Sequence, residues 1–102
     1  MPEVETVGAV IASREMEFAH KSGRKEKAFL RVGVPFEYGQ GFDWCCPYEL
    51  STETSKKLSA MFGIDALQAL QPTLKTLPVE IEYWERTNNG KFYFLDEEGS
   101  AV

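Results

Sequence analysis

The chain has 102 residues, 43% of them hydrophobic and 13% aromatic, and a formal net charge of -5. That length fits a single domain over residues 1–102, with enough apolar side chain to fold without disulfides or a structural metal. The acidic balance argues against a nucleic-acid partner, because phosphate backbones are held mainly by Lys and Arg. No apolar run approaches the roughly 20 residues that span a bilayer, and MPEVETVG lacks the basic and apolar regions of a secretory leader, so the expectation is a cytoplasmic protein with no membrane partner.

Charge is nevertheless uneven along the chain. Arg14, Lys21, Arg24, Lys25, Lys27 and Arg31 outnumber Glu15, Glu17 and Glu26, whereas Glu80, Glu82, Glu85, Asp96, Glu97 and Glu98 outnumber Arg86 and Lys91. Such runs are read first as solvated faces and only second as docking patches.

In chain order, VGAVIASREMEF starts β-branched and alternates from Ala12 to Phe18, which marks a strand. AHKSGRKEK centres on Gly23 as a turn and gives a hairpin with a basic tip. AFLRVGVPFEY then places Ala28, Leu30, Val32, Val34, Phe36 and Tyr38 on one face of a second strand. Tyr38 to Gly41 forms the next turn, and a third strand runs from Asp43 to Leu50. Alternation sends Trp44, Cys46, Tyr48 and Leu50 to one side, and Asp43, Cys45, Pro47 and Glu49 to the other.

The adjacent thiols therefore point apart. A relaxed disulfide needs Cα atoms about 4.4 to 6.8 Å apart, beyond the 3.8 Å of sequence neighbours. Cys46 reads as a core residue and Cys45 as the more exposed thiol; Pro47 implies an edge strand or a bulge.

STETSKKLSAMFG fits either a short helical piece ending at Gly63 or an extended segment. GIDALQAL opens a helix, with Asp65 as the N-cap and Gln68 placed for a capping box. Leu67, Leu70, Leu74, Leu77, Ile81 and Trp84 follow at helical spacing and form one apolar seam to Arg86. Pro72 and Pro78 oppose a straight helix, each costing about 3 kcal/mol in a helix interior. The favoured reading is one continuous bent helix stopped at Asn89 and Gly90; the rival ends it at Leu77 and makes VEIEYWERTNNGKFYFL a β-hairpin. Lys91 to Leu95 is a last strand and DEEGSAV a loose acidic tail.

Asp43-Trp44-x-Cys46-Pro47 on a strand, followed by Gly63-Ile64-Asp65-Ala66-Leu67-Gln68-Ala69-Leu70 opening a helix, resembles a family of small bacterial proteins of unknown function. The resemblance extends from about Ala12 to Leu95. It implies N-terminal antiparallel strands, a Gly-x-Asp-x-x-Gln-Ala-Leu helix start and a C-terminal strand, with no established activity. Pro72 and Pro78 depart from the family pattern, in which the helix carries ordinary helix formers.

Candidate chemistry is sparse. His20 is the one histidine, and no Cys-x-x-Cys pair accompanies it, so neither a metal site nor a Cys45–His20 nucleophile pair has a pattern behind it. Gly39 and Gly41 precede a strand and cradle no phosphate. Glu80, Glu82 and Glu85 read as a solvated helix face, and Asp65 as a cap. The aromatics Trp44, Tyr48, Phe36, Tyr38, Tyr83, Trp84, Phe92 and Phe94 fill a core first, with a remainder available for an interface.

The composite expectation is an α+β two-layer domain in which a mainly antiparallel sheet of about four strands packs on one long, bent helix. Its function reads as non-enzymatic: a protein-interaction or self-association module, with Trp44, Cys45, Tyr48 and Trp84 as candidate binding residues and no cofactor. The alternative is a small-ligand-binding or thiol-dependent protein with a pocket between helix and sheet.

Overall fold

The computed structural model describes residues 6–39 and 43–102. The basic-tipped hairpin is present: β1 (Val10–His20) pairs antiparallel with β2 (Lys25–Gly33), and Gly23 turns the chain at φ 98°. The strands β3 (Phe36–Glu37), β4 (Trp44–Thr52) and β5 (Lys56–Gly63) follow. The helix α1 (Ala66–Thr87) comes next, then β6 (Gly90–Phe94) and β7 (Glu97–Glu98). The turn expected at Tyr38–Gly41 reaches residues 40 and 41, which lie outside the described residues.

Among the described residues the sheet has seven strands rather than about four, because β5, β3 and β7 add to the strands the alternation revealed. Its order is β5-β4-β2-β1-β6-β7, with β3 beside the start of β4 beyond the end of β2. STETSKKLSAMFG is extended: it begins in the end of β4, and from Lys56 to Gly63 it is β5, paired along its length with β4. AFLRVGVPFEY is not one strand. Ala28, Leu30 and Val32 are buried, but the chain breaks at Val34–Pro35, and Val34, Phe36 and Tyr38 are exposed. Proline has no N–H to offer a ladder, so the break falls where pairing would need one.

β4 lies inside the sheet rather than at an edge, since β2 and β3 flank one side and β5 the other. Pro47 is tolerated there for a geometric reason. Thr52 N–H donates to the Ser55 carbonyl at 2.8 Å, which makes that pair a hydrogen-bonded one. Antiparallel alternation then turns the even-numbered residues of β4 toward β5, and the nitrogen of Pro47 toward β2. Val32 pairs with Tyr48 but Phe36 with Cys45, so the partner chain carries one extra residue opposite Pro47. The bulge expected at Pro47 is thus in the neighbouring strand.

The helix is single over 22 residues and contains both prolines; the rival β-hairpin is not formed. Asp65 Oδ1 accepts from Gln68 N–H at 2.7 Å, and Gln68 Oε1 accepts from Ile64 N–H at 2.7 Å, completing the reciprocal cap. Asn88 closes the other end through its N–H to the Trp84 carbonyl, and Asn89 takes a left-handed φ of 49° before β6.

The apolar seam runs differently from the leucine spacing. Ala69, Thr73, Leu77, Ile81 and Trp84 are buried, whereas Leu67 and Leu74 are 61% and 49% exposed. Close approach explains the rotation, because a Cβ on Gly63 would sit 2.5 Å from the Ala69 nitrogen. Only small residues fit where α1 meets β5, so Ala69 and Thr73 face the sheet and the leucines flank them. The Thr73 hydroxyl is satisfied by donating to the Ala69 carbonyl at 2.9 Å.

The core lies between this helix and one face of the sheet: Met16, Phe18, Ala28, Leu30, Val32, Cys46, Tyr48, Leu50 and Phe92 meet Leu77, Ile81 and Trp84. The C-terminal residues are not a loose tail. Glu97 pairs with Phe94, Gly99 bridges Tyr93, and Arg14 donates to the carbonyls of Ser100 and Ala101 at 2.8 Å each.

Candidate interaction surface

The four residues singled out from sequence do not converge. Trp44, Tyr48 and Trp84 face the helix side: Tyr48 and Trp84 are buried in the core, and half-buried Trp44 packs against it. Cys45 lies on the opposite sheet face and is fully buried, which corrects its reading as the exposed thiol. Its cross-strand neighbours Phe36 and Phe62 flank it there, and sequence alternation alone does not reveal that cover.

Burial pushes the Cys45 thiol above its ordinary range, and the neighbouring Cys46 adds to the shift. Burial raises Cys46 as well, over an opposing contact with Thr73. Both cysteines are free, and a buried thiol held protonated is a poor nucleophile.

Tyr48 belongs to a polar bridge between sheet and helix. Its hydroxyl donates to Glu80 Oε2 at 3.1 Å, Lys57 Nζ donates to Glu80 Oε1 at 2.8 Å, and Lys57 lies 5.1 Å from the Tyr83 ring centroid. Burial raises the Tyr48 pKa, reinforced by the Glu80 carboxylate over an opposing contact with Ser59. The Glu80 hydrogen bond raises that of Lys57. Tyr48 is therefore a neutral donor and Lys57 a cation, an arrangement that ties α1 to β4 and β5.

A second polar cluster surrounds the buried carboxylate of Glu26. Thr54 donates to it through N–H at 3.0 Å and hydroxyl at 2.7 Å, His20 Nε2 lies 2.5 Å away, and Arg24 approaches at 3.5 Å. Burial by itself would raise the Glu26 pKa, but the Thr54, His20 and Arg24 interactions outweigh it and the carboxyl falls below its ordinary value. The cluster joins the β1–β2 tip to the β4–β5 turn and holds no nucleophile. Among the described residues, no group of three or more His, Cys, Asp or Glu side chains is placed to hold a metal, and no helix is long and apolar enough to cross a membrane.

A crevice between helix and sheet exists, but away from the cysteines. It measures about 250 Å3 and is lined by Ala12, Leu30, Val32, Leu74 and Leu77 beside Ala101 and Val102. Arg14, the one cation at its wall among the described residues, is already committed to the carbonyls of Ser100 and Ala101 and to the Phe94 ring, 4.2 Å from its guanidinium.

The most distinctive surface is the sheet face that α1 leaves uncovered. At the β3–β4–β5 end, Phe36, Cys45 and Phe62 form a row across three strands, and Pro47 with Ala60 forms the next. Phe36 is 42% exposed and Phe62 37%, and Tyr38 meets Phe62 edge to face with centroids 6.0 Å apart. Ile64 and Leu67, which follow β5 in the chain, are exposed as well. Leu58, half-buried, follows two residues before Ala60 on the same face of the strand. The outer edge of β5 has no strand partner among the described residues. Phe36 and Tyr38 were among the aromatics noted in the sequence, but Phe62 was not; the signal for Phe36 and Tyr38 is Pro35, which breaks the strand and frees their rings from the core, whereas the place of Phe62 follows from the pairing of β5 with β4.

These features define a two-layer α+β domain with one helix on an antiparallel sheet and an aromatic patch beside an open edge. The chain belongs to the family described as a domain of unknown function, DUF6968, whose model matches residues 12–102. No curated protein and no solved structure matches it.

Proposed function

We propose that this domain is a non-enzymatic protein-interaction module that binds through the uncovered sheet face around Phe36, Tyr38 and Phe62 and along the edge of β5. The supporting observation is the coincidence of exposed aromatic rings with a strand edge that has no partner among the described residues. Aromatic side chains anchor interfaces at low entropic cost, and a free edge adds main-chain hydrogen bonds. The thiol-dependent alternative is disfavoured by the burial of Cys45 and Cys46. A ligand-binding role in the helix–sheet crevice is disfavoured because Arg14 at its wall is already committed to protein partners. Two unpaired cysteines suit a reducing cytoplasmic setting.

Photo-crosslinking tests this reading. With p-benzoylphenylalanine at position 58 or 62, irradiation in cells should give adducts of defined mass, and the same group at exposed Lys91 should give none. Absence of adducts from both patch positions, or equal adducts from position 91, would contradict the proposal.

A further inference from the structure

We infer that the occupant of the β5 edge is a second copy of this chain, paired antiparallel about a two-fold axis at Ala60. This rests on the interaction reading above and names the partner of the same surface.

The direction of the edge groups follows from the ladder. Thr52 and Ser55 form a hydrogen-bonded pair, so Lys57, Ser59, Met61 and Gly63 turn their amides toward β4. Lys56, Leu58, Ala60 and Phe62 consequently aim their N–H and C=O groups outward. The strand is eight residues long and carries no proline, so nothing in its backbone interrupts pairing.

Charge selects the antiparallel sense. Lys56 and Lys57 stand at the start of β5 and Asp65 just beyond its end, with Lys56 and Asp65 both exposed. A parallel copy would set lysines beside lysines. An antiparallel copy brings the lysines of each chain to the Asp65 end of the other.

Side-chain chemistry selects the register. With Ala60 opposite Ala60, Leu58 of each copy lies beside Phe62 of the other, and Lys56 lies beside Ile64, one residue from Asp65. Shifting by two residues toward the start of the strand would instead place Lys56 beside Phe62. The chosen register joins the two aromatic patches into one band on the uncovered face.

Area argues for the edge over a purely face-to-face contact. Aromatic rings bury about 150 to 250 Å2 each when covered, and Phe36, Tyr38 and Phe62 are already more than half covered. What remains falls well short of the roughly 800 Å2 per partner typical of stable interfaces, so further strand and helix contacts must contribute. The helix obstructs nothing. It lies over β4 and β5, and the two-fold axis leaves the two helices on one side of the joint sheet, about 10 Å apart at two strand spacings, the distance at which helices pack side by side.

Sedimentation equilibrium of the full chain tests the inference. The wild type should be dimeric at about 10 μM, and Ala60→Pro should weaken association by at least about tenfold, with an unchanged far-UV circular dichroism spectrum. This proline removes an outward N–H that the β4 ladder does not use. Leu58→Glu is the second variant, should Ala60→Pro fail to fold, and it too should yield monomer. A wild-type monomer at about 500 μM would overturn the second-copy assignment, as would a dimer unaffected by the folded variants. Adducts to a different chain from positions 58 and 62 would then preserve the interaction proposal, whereas their absence would remove both.

Discussion

The thiol of Cys46 donates to the carbonyl of Gly33 across 3.7 Å, on the neighbouring strand. Regular pairing would give that carbonyl the N–H of residue 47, which is a proline and has none. A buried sulfur thus serves an acceptor that the ladder leaves open, and the Val34–Pro35 break lies immediately beyond it. Glycine is needed at position 33 as well, since a Cβ there would meet the Val7 carbonyl oxygen and the Pro47 ring.

Cys46→Ala should therefore cost more than Cys45→Ala, because it combines lost burial with an orphaned carbonyl worth about 1 to 3 kcal/mol. Urea denaturation of the two variants checks the order. The native protein should leave both thiols unlabelled by a disulfide reagent at neutral pH and expose both on unfolding. Rapid labelling of Cys45 in the folded chain would contradict its burial.

The helix makes a contrast prediction. Leu74→Ala should cost well under 1 kcal/mol, whereas Leu77→Ala should cost about 2 to 5 kcal/mol. Gly63→Ala should be destabilising despite its small volume, because the added carbon meets helix backbone rather than a yielding side chain. Thermal unfolding of the three variants measures the differences.

Glu26 predicts an acid limb. Its folded pKa lies below the ordinary 4.5, so the unfolded chain binds more protons between the two values. Stability is present above about pH 4.5 and falls as pH drops through the folded pKa. Glu26→Gln should flatten that limb, and Glu26→Ala should cost about 2 kcal/mol at neutral pH through the groups left unpaired. Denaturation midpoints between pH 2 and 7 check both.

Tyr48 and Lys57 predict the alkaline counterpart. Both folded pKa values are raised, so their contribution is intact below the ordinary values of 10.0 and 10.5 and is lost as pH rises through the folded ones. Phenolate absorbance should show one of the four tyrosines titrating late. Tyr48→Phe should abolish that late step.

Much of the architecture was legible because it is local. The hairpin around Gly23, the Asp65–Gln68 cap, the helix stop at Asn89 and the inward face of Cys46 all follow from nearby residues. What sequence could not supply depends on strands meeting. β5 carries no clear alternation, and only its pairing with β4 orders it. The leucine seam gave way to Ala69 and Thr73 because Gly63 brings β5 against the helix, a contact invisible in periodicity. Cys45 looked exposed because period two assigns a face without saying what covers it. The aromatic patch needed the Pro35 break to be recognised as a change of face environment rather than an interruption of one strand.

Amide hydrogen exchange along β5, followed as protein concentration is raised, tests the open edge most directly. Ser59 and Met61 should be protected throughout, because their amides serve the β4 ladder. Leu58 and Ala60 should exchange freely in dilute protein and become protected as copies associate. Free exchange at Leu58 and Ala60 at every concentration would contradict self-pairing at this edge, and protection of both in the dilute monomer would show that the edge is already closed.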